Sequence, residues 1–206
     1  MIRFDRVFIV NLDRRADRLE HINKEVERLG WSAQRFPAFD GAILDSKPGK
    51  PPIKGWSVIS MGNYGNVLSQ RAIIKLAKEA KLDSILILED DAEFDSKEKI
   101  DGFLDLVPKN WDMLYFGGNH QEPIIPINDK IARCQHTYAA HSVGIKSTMY
   151  DHILHVTEDK CLPIDLYYAQ FHKAYNVYCP INKLSWQING YSDIEYKEVD
   201  YTAILR

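Results

Sequence analysis

The sequence predicts an α/β fold with a largely parallel central sheet, chiefly because three short apolar runs recur along the chain. The runs lie at 7–10, 85–88 and 113–116, and each has four consecutive large apolar residues. Such runs are typical of strands that are buried on both faces of a parallel sheet. Segments with helical apolar spacing separate the runs, and alternating strands and helices indicate the α/β class.

The first apolar run should lead into a helix that Gly30 ends. A short strand is expected at 34–39. Proline, glycine and lysine dominate 42–56, so an irregular loop is expected there, mobile until a ligand orders it. The apolar residues that recur at helical spacing in the first helix are Leu19, Ile22, Val26 and Leu29.

The middle of the chain should continue the alternation. A second helix is expected at 66–80 and a third at 96–106, which Pro108 ends. Neither an internal repeat nor a low-complexity segment is visible, so 1–206 is expected to form a single domain. The remaining expected elements are a strand at 138–145, helices at 147–156 and 164–174, and a strand at 177–178, with little periodicity from 180 to 206.

Charge and cysteine content restrict the class of protein. The 206 residues carry a formal net charge of −3, which argues against a dedicated nucleic-acid binder. The cysteines Cys134, Cys161 and Cys179 are far apart and odd in number, so neither a disulfide framework nor a zinc site is expected. The N-terminus has no cleavable apolar run and no stretch has transmembrane length. We expect a cytoplasmic protein, with peripheral membrane association left open.

The second apolar run ends in three carboxylates, Glu89, Asp90 and Asp91. Burying adjacent carboxylates is costly, so this acidic triplet should emerge at the carboxyl edge of the sheet, where ligands of open α/β sheets bind. Carboxylate oxygens suit Mg²⁺ or Mn²⁺, which proteins bind together with substrate phosphates. The alternative is an acidic strand exit that merely meets solvent.

The segment after the first apolar run is rich in arginine. Guanidinium groups beside a helix start would bind a diphosphate, while the alternative is a solvated first turn paired with neighbouring aspartates. The side-chain amide of Asn11, at a strand end, could hydrogen-bond to the edge of a base or ribose. Neither a P-loop nor a glycine-rich fingerprint follows the strand. The arginines are Arg14, Arg15 and Arg18.

Two further polar residues admit two interpretations each. Asp165 stands at a predicted helix start, where a carboxylate commonly stabilises the helix but could also face a cleft as a catalytic base. Ser69, on the helix before the acidic strand, could belong to the site or could equally serve simple packing.

Seven short motifs, kept in order from 9 to 194, together resemble glycosyltransferase family 25. The opening segment is similar to the family's I-N-L-x-R-R-x-x-R motif, and the acidic strand to its L-E-D-D motif. Gln70 and Asn66 stand where the family usually has histidine and cysteine. The matching segments are 9–18, 38–41, 62–70, 86–91, 111–117, 163–165 and 192–194.

The resemblance implies a GT-A (Rossmann-like) glycosyltransferase that uses a UDP-sugar and a divalent metal, Mn²⁺ or Mg²⁺. It implies inverting transfer of a hexose, with galactose or glucose favoured, to a hydroxyl of a glycan, lipooligosaccharide or glycoprotein. The alternatives are a catalytically inactive nucleotide-sugar- or partner-binding domain and a nucleotidyltransferase, which would want a glycine- and lysine-rich N-terminal loop.

The resemblance also assigns roles to individual residues. Glu89 and Asp91 would bind the metal. Asp165 would be the general base, with Asp193 as the substitute candidate. The residues that would bind the nucleotide sugar are Asn11, Leu12, Arg14, Arg15, Arg18, Asp40, Gly41, Ser69, Glu89, Asp90 and Asp91.

Overall fold

A computed structural model describes residues 2–49 and 57–205 of the chain. Helices and short strands alternate through the first half, and the second half is rich in short strands. The helices are α1 (Ala16–Arg28), α2 (Met61–Glu79), α3 (Lys97–Leu106), α4 (Ser147–Val156), α5 (Ile164–Ala169) and α6 (Thr202–Leu205). The strands are β1 (Arg6–Asn11), β2 (Ala33–Pro37), β3 (Ser84–Glu89), β4 (Ala92–Phe94), β5 (Met113–Tyr115), β6 (Asn119–His120), β7 (Ile125–Pro126), β8 (Ile131–Arg133), β9 (Thr137–Tyr138), β10 (Ser142–Lys146), β11 (Val177–Pro180), β12 (Ser185–Gln187), β13 (Gly190–Ser192) and β14 (Lys197–Val199).

Eight of the described strands form one central sheet in the order β2-β1-β3-β10-β5-β11-β8-β7. The pairs β1–β2, β1–β3 and β5–β11 are parallel, whereas β10 runs antiparallel to both of its neighbours and β8 to both of its own. All strands of the sheet except β10 and β8 therefore run in one direction, so the sheet is largely parallel and the predicted α/β class is confirmed.

Both faces of the sheet are covered, which explains the unbroken apolar runs. In β1, Phe8 and Val10 pack into a core with residues of α2, α4 and α5. Val7 and Ile9 point the other way, into a second core with residues of α1 and α3. Side chains alternate between the faces of a strand, so only a continuous apolar run can fill two cores at once.

The parallel register brings the polar strand ends together. Val10 pairs with Glu89, and Asn11 pairs with Pro37. The segments that follow β1, β2 and β3 consequently leave the sheet at one edge, as predicted for the acidic triplet.

Several predicted boundaries were wrong. The strand predicted at 138–145 is two strands, β9 and β10, because Ala139 has a left-handed backbone with φ of 64°. The helix predicted at 164–174 ends at Ala169 and continues as turns. The segment 180–206 has short strands, of which β12 pairs with β4 and β13 with β14.

The second helix begins earlier than predicted, and the predicted loop is partly structured. Helix α2 starts at Met61, where the Ser60 hydroxyl accepts a hydrogen bond from Asn63 N at 3.1 Å. A 3₁₀ turn, Gly41–Ile43, opens the loop predicted at 42–56. Residues 50–56 lie outside the described part of the chain, so the expected mobility of this loop stays a prediction.

Helix α2 lies directly against the turn after β2, and Gly65 permits this contact. A Cβ at Gly65 would lie 2.3 Å from the carbonyl oxygen of Phe39 and 3.0 Å from Gly41 N. The Ser69 hydroxyl donates to Gly65 O at 2.7 Å and accepts from Phe39 N at 2.9 Å. These bonds fix the distance between the helix and the turn that carries Asp40.

We predict that Gly65→Ala lowers the free energy of unfolding by about 1–3 kcal/mol, because the new methyl group meets backbone that cannot move aside. Gly102 is the matched control, since it lies in helix α3 with open space around its Cα. Gly102→Ala should raise stability by about 0.5–1 kcal/mol through helix propensity. Chemical denaturation of the three proteins tests both signs, and a stabilising Gly65→Ala would contradict the close approach.

Candidate functional site

A cavity of about 520 Å³ opens at the carboxyl edge of the central sheet. Its size is in the range of small-molecule sites. The acidic triplet lines its floor. The other lining residues come from Val10 and Leu12 at the end of β1, Arg18 of α1, 38–41 after β2, positions between 62 and 69 of α2, Asn119 of β6, 138–140 at the end of β9, 163–166 at the start of α5, and parts of 187–201.

Asp90 is held in the wall by two fixed donors. Asn11 Nδ2 donates to Asp90 Oδ2 at 2.7 Å, and Arg18 Nη1 donates to Asp90 Oδ1 at 3.2 Å. Asn11 is itself buried, with its remaining polar atoms bonded to Arg15 O and to the Arg35 side chain. Asn11 thus positions Asp90, and its predicted contact with a base or ribose stays a prediction.

Glu89 and Asp91 face the cavity, and side-chain amides donate hydrogen bonds to both. Asn66 Nδ2 donates to Glu89 Oε1 at 2.9 Å. Gln187 Nε2 lies 3.2 Å from both Asp91 carboxylate oxygens and 3.4 Å from Glu89 Oε2. Amides supply dipoles rather than charge, so they orient these carboxylates without cancelling the negative charge.

Arg18 is the guanidinium that neutralises the triplet. Its Nη1 contacts Asp90 and Asp91, the latter at 3.0 Å, and its Nη2 donates to Tyr191 O at 2.7 Å. Burial alone would lower the pKa of Arg18, but the charges of Asp91 and Asp90 outweigh burial, so the pKa lies above its usual value. One buried positive charge therefore stands against three carboxylates.

Burial and repulsion between neighbouring carboxylates raise the pKa values of Glu89 and Asp90. Burial, followed by the charge of Asp91, raises the pKa of Glu89 to about 8. The same two causes raise the pKa of Asp90 to about 6, although Asn11 and Arg18 oppose the rise. A cation placed among these oxygens would relieve both the burial cost and the mutual repulsion.

The other two predicted arginines form a network with aspartates above the triplet. Arg14 Nε donates to Asp40 Oδ2 at 2.8 Å, and Arg14 and Arg15 each donate to one Asp193 oxygen. Hydrogen bonds to Asp40 and Asp193 raise the pKa of Arg14. The alternative of arginine–aspartate pairing is thus realised in part, since Arg15 also pairs with Asp17 at 2.8 Å.

The C-terminal segment lies over this network. The backbone at Asp193 and Ile194 packs on the start of α2, where a Cβ at Gly62 would lie 2.5 Å from Asp193 O. Ser60 Oγ donates to Ile194 O at 2.9 Å. Both Asp193 oxygens are engaged by arginines, which suits a residue that positions the arginines better than it suits a base.

Asp165 faces the same cavity from another element. Its Oδ2 accepts from Ala139 N at 3.1 Å and its Oδ1 from Leu166 N at 2.9 Å. Burial raises the pKa of Asp165, while the backbone amides of Ala139 and Leu166 oppose the rise. The carboxylate therefore bonds its helix start, as the simpler interpretation expected, and is also exposed to the cavity.

The remaining predicted residues are divided between the cavity and its support. Leu12, Asp40, Gly41 and Ser69 are among the lining residues. The hydroxyl of Ser69 is fully occupied between Gly65 O and Phe39 N, so its packing role is realised. Arg14, Arg15 and Asn11 are not among the lining residues but hold those that are.

Sequence reasoning missed several residues of the cavity. Gln187 and Tyr201 come from the segment without periodicity, which gave no signal. Asn66 was noted as a departure from a motif, yet its amide bonds Glu89. Tyr138 ends β9 and Ala139 follows it, whereas the sequence predicts both as the start of one longer strand at 138–145.

Comparison with known proteins tests the family resemblance that the motifs carry. The model of glycosyltransferase family 25 (LPS biosynthesis protein) matches residues 4–171. The match includes six of the seven motifs and extends into the turns after α5, so the resemblance inferred from the motifs is confirmed. The central sheet, with the acidic triplet at its carboxyl edge, has the α/β class of fold that the resemblance implies.

The individual relatives share about a quarter of the aligned residues with this chain. A glycosyltransferase 25 family member of Drosophila melanogaster is 27% identical over 155 residues, which cover 66% of this chain and 25% of that protein. The human inactive glycosyltransferase 25 family member 3 is 27% identical over 137 residues (59% and 23%), and mouse procollagen galactosyltransferase 2 is 24% identical over 133 residues (55% and 21%). The chain spans about a quarter of the length of the relatives it matches.

The helices in the described ranges were also searched for membrane spans, and none combines the length with the apolar character that crossing a bilayer requires.

We predict that Arg18→Met lowers the free energy of unfolding by about 3–5 kcal/mol, because it leaves buried carboxylates without their guanidinium. Lys24→Met is the matched control in the same helix, where Lys24 pairs with Glu20 and both side chains are about 70% exposed. The control should leave the denaturation midpoint unchanged, since exposed pairs contribute little. Equal losses in the two variants would contradict the role assigned to Arg18.

Proposed function

We propose that this chain, which belongs to glycosyltransferase family 25, transfers a hexose from a UDP-sugar to an acceptor hydroxyl with inversion. Galactose and glucose are the favoured hexoses. One observation carries the proposal: a cavity at the carboxyl edge has an under-neutralised carboxylate triplet on its floor and a separate carboxylate, Asp165, on its wall. The metal-binding and proton-accepting functions of such an enzyme need carboxylates in two places.

The acidic triplet fits a divalent metal. Its donors are hard oxygens of Glu89 and Asp91, and burial, followed by the charge of Asp91, raises the pKa values of Glu89 and Asp90. Asn66 Oδ1, buried beside Glu89, has no hydrogen-bond partner among the described residues. Glu89 and Asp91 would hold Mn²⁺ or Mg²⁺, whose charge would stabilise the diphosphate oxygens as UDP leaves.

The chain's own groups then divide the remaining work. Asn11 and Arg18 hold Asp90 and with it the end of β3, so the adjacent carboxylates keep their orientation. Asp40 and the arginine network supply polar groups at the side of the cavity where the strand ends meet. We assign the nucleotide to this side, because guanidinium forks bind phosphate oxygens and would exchange an aspartate partner for a diphosphate.

Asp165 is the proposed general base. A new bond forms between the acceptor oxygen and the anomeric carbon while the bond from that carbon to the UDP oxygen breaks, and the acceptor proton passes to Asp165. Two backbone amides orient its carboxylate, and burial makes it a stronger base than a solvated aspartate.

The competing function is an inactive sugar-nucleotide-binding domain, since the human relative, family member 3, is named as inactive. Gln70, the departure that suggests decay, accepts a hydrogen bond from the Tyr168 hydroxyl at 2.7 Å in the core. It is not among the cavity-lining residues, so its replacement of histidine removes no group from the site. The intact carboxylates favour the enzyme.

The names of the family and of a relative indicate two classes of acceptor. The family description names lipopolysaccharide biosynthesis, and mouse procollagen galactosyltransferase 2 is a relative named for a protein acceptor. We propose a carbohydrate or glycoprotein hydroxyl as the acceptor, and the acceptor assay must include both kinds.

We predict that UDP binds only weakly unless Mn²⁺ is present and that Asp91→Asn removes the effect of Mn²⁺. With Mn²⁺ present, UDP at one hundred times its Kd should raise the free energy of unfolding of the wild type by about 2.7 kcal/mol. Thermal shift and calorimetry with each UDP-sugar measure this. Asp151→Asn, a change on the exposed face of α4, is the control. Unchanged Mn²⁺-dependent affinity in Asp91→Asn would overturn the assignment.

We predict that Asp165→Asn lowers turnover by about 10²–10⁴-fold while UDP affinity stays near wild type, because only proton transfer is lost. A base acts when ionised, so wild-type kcat/KM should fall as the pH drops through the pKa of Asp165. That pKa lies above the usual value near 3.9, because burial raises it. The variant should lack this acid limb. A loss of stability with normal turnover would instead leave Asp165 as a helix-start residue.

A further inference from the structure

Two of the three cysteines meet on one face of the sheet, although 44 residues separate them in sequence. Cys134 N donates to Val177 O at 3.0 Å, so Cys134 lies opposite Val177, and Cys179 lies opposite Ala132. Side chains two residues apart on a strand share a face. Cys134 and Cys179 are therefore diagonal neighbours, both buried in the same apolar core.

A histidine closes this pair into a three-residue cluster. His120 lies in β6, and its Nδ1 is hydrogen-bonded to Thr137 Oγ1 of the paired strand β9 at 2.8 Å. Metal-ligating histidines usually have one ring nitrogen bonded in this way, which fixes the ring and leaves the other nitrogen for the metal. Thr137 is fully buried, so its hydroxyl is a fixed partner.

The structure assigns to His120, Cys134 and Cys179 a Zn²⁺ site that is separate from the acidic triplet. A ring nitrogen and the two sulfur atoms all lie within 4.8 Å of one another. Tetrahedral zinc with bonds of about 2.3 Å to sulfur brings two sulfur atoms to about 3.8 Å, so small side-chain movements suffice. Two thiolates and an imidazole form a soft donor set that selects zinc over Mn²⁺ or Mg²⁺.

The diagonal arrangement favours a metal over a disulfide. Diagonal residues of adjacent strands have Cα atoms about 7–8 Å apart, whereas a disulfide needs about 4.4–6.8 Å. A bridging ion adds two metal–sulfur bonds to the span and so accommodates the longer distance. Binding requires the thiols to lose their protons, and the two protons pass to the solvent buffer.

The proposed zinc would join the central sheet to the β6–β9 ribbon, which forms a separate two-stranded sheet. Cys179 lies in β11 and Cys134 directly follows β8, whereas His120 lies in β6 of the ribbon. This ribbon carries Asn119 and Tyr138, which line the cavity, and is followed by Ala139, whose amide holds Asp165. The zinc is thus a positioning element for that wall of the site.

Metal content tests the assignment directly. Protein dialysed against metal-free buffer and then given Zn²⁺ should retain one zinc per chain against a weak chelator. Cys134→Ser and Cys179→Ser should each lower the affinity by at least about 100-fold. Cys161→Ser is the matched control, because Cys161 is equally buried but contacts the Tyr167 hydroxyl instead. Asp91→Asn should also keep the zinc, which separates this site from the acidic triplet.

Measurements on the wild type, namely its cobalt spectrum and its thiol count, keep the test independent of variants that misfold. Co²⁺ added to the wild type should give a thiolate charge-transfer absorption, and Thr137→Val should weaken zinc binding by about 10–100-fold. Three reactive thiols should be counted in unfolded, metal-free protein. Absence of retained zinc and of the cobalt band, full zinc retention in both serine variants, or a Cys134–Cys179 disulfide would each overturn the proposal.

Discussion

The crowding of three carboxylates at the end of β3 is the constraint on which the rest of the site depends. Their burial would be prohibitive without compensation, and the protein supplies one guanidinium, from Arg18, and three amides, from Asn11, Asn66 and Gln187. These partners come from α1, β1, α2 and β12, so the deficit of charge at one strand end fixes the relative placement of four elements. The incomplete neutralisation that remains is a property suited to binding a cation.

The same charges explain why the C-terminal segment is part of the site. Arg18 reaches Tyr191 O, and Arg14 and Arg15 share Asp193. The segment 191–194 is therefore held over the cavity mainly by ions and by a close backbone contact at Gly62, rather than by an apolar core. A diphosphate would compete with Asp193 for the same guanidinium groups.

The sequence allowed prediction of whatever depends on local pattern. The apolar runs predicted the buried strands, and their acidic and polar ends predicted the ligand-binding edge, because carboxyl ends of parallel strands share that edge. It could not reveal that β10 enters the sheet between β3 and β5, since a buried strand has the same composition in either direction. The early start of α2 was missed because Gly62 and Gly65 resemble loop residues, although Gly65 is required by the backbone of Phe39. Gln187 was missed because a single amide gives no periodic signal.

The two walls of the cavity differ in how the chain builds them. The wall proposed for the nucleotide follows from strands β1, β2 and β3 and their register, so it is specified by an apolar core and by contiguous motifs. The wall with Asp165 rests on α5, which has six residues, and on the two-residue strands β6 and β9. Elements this short provide little stability of their own. Orientation of Asp165 therefore depends on the amide of Ala139 and on what fastens the β6–β9 ribbon to the sheet. The cluster of His120, Cys134 and Cys179 stands at that junction. Holding the His120 ring there would constrain the β6–β9 ribbon and, through Ala139, the proposed base Asp165.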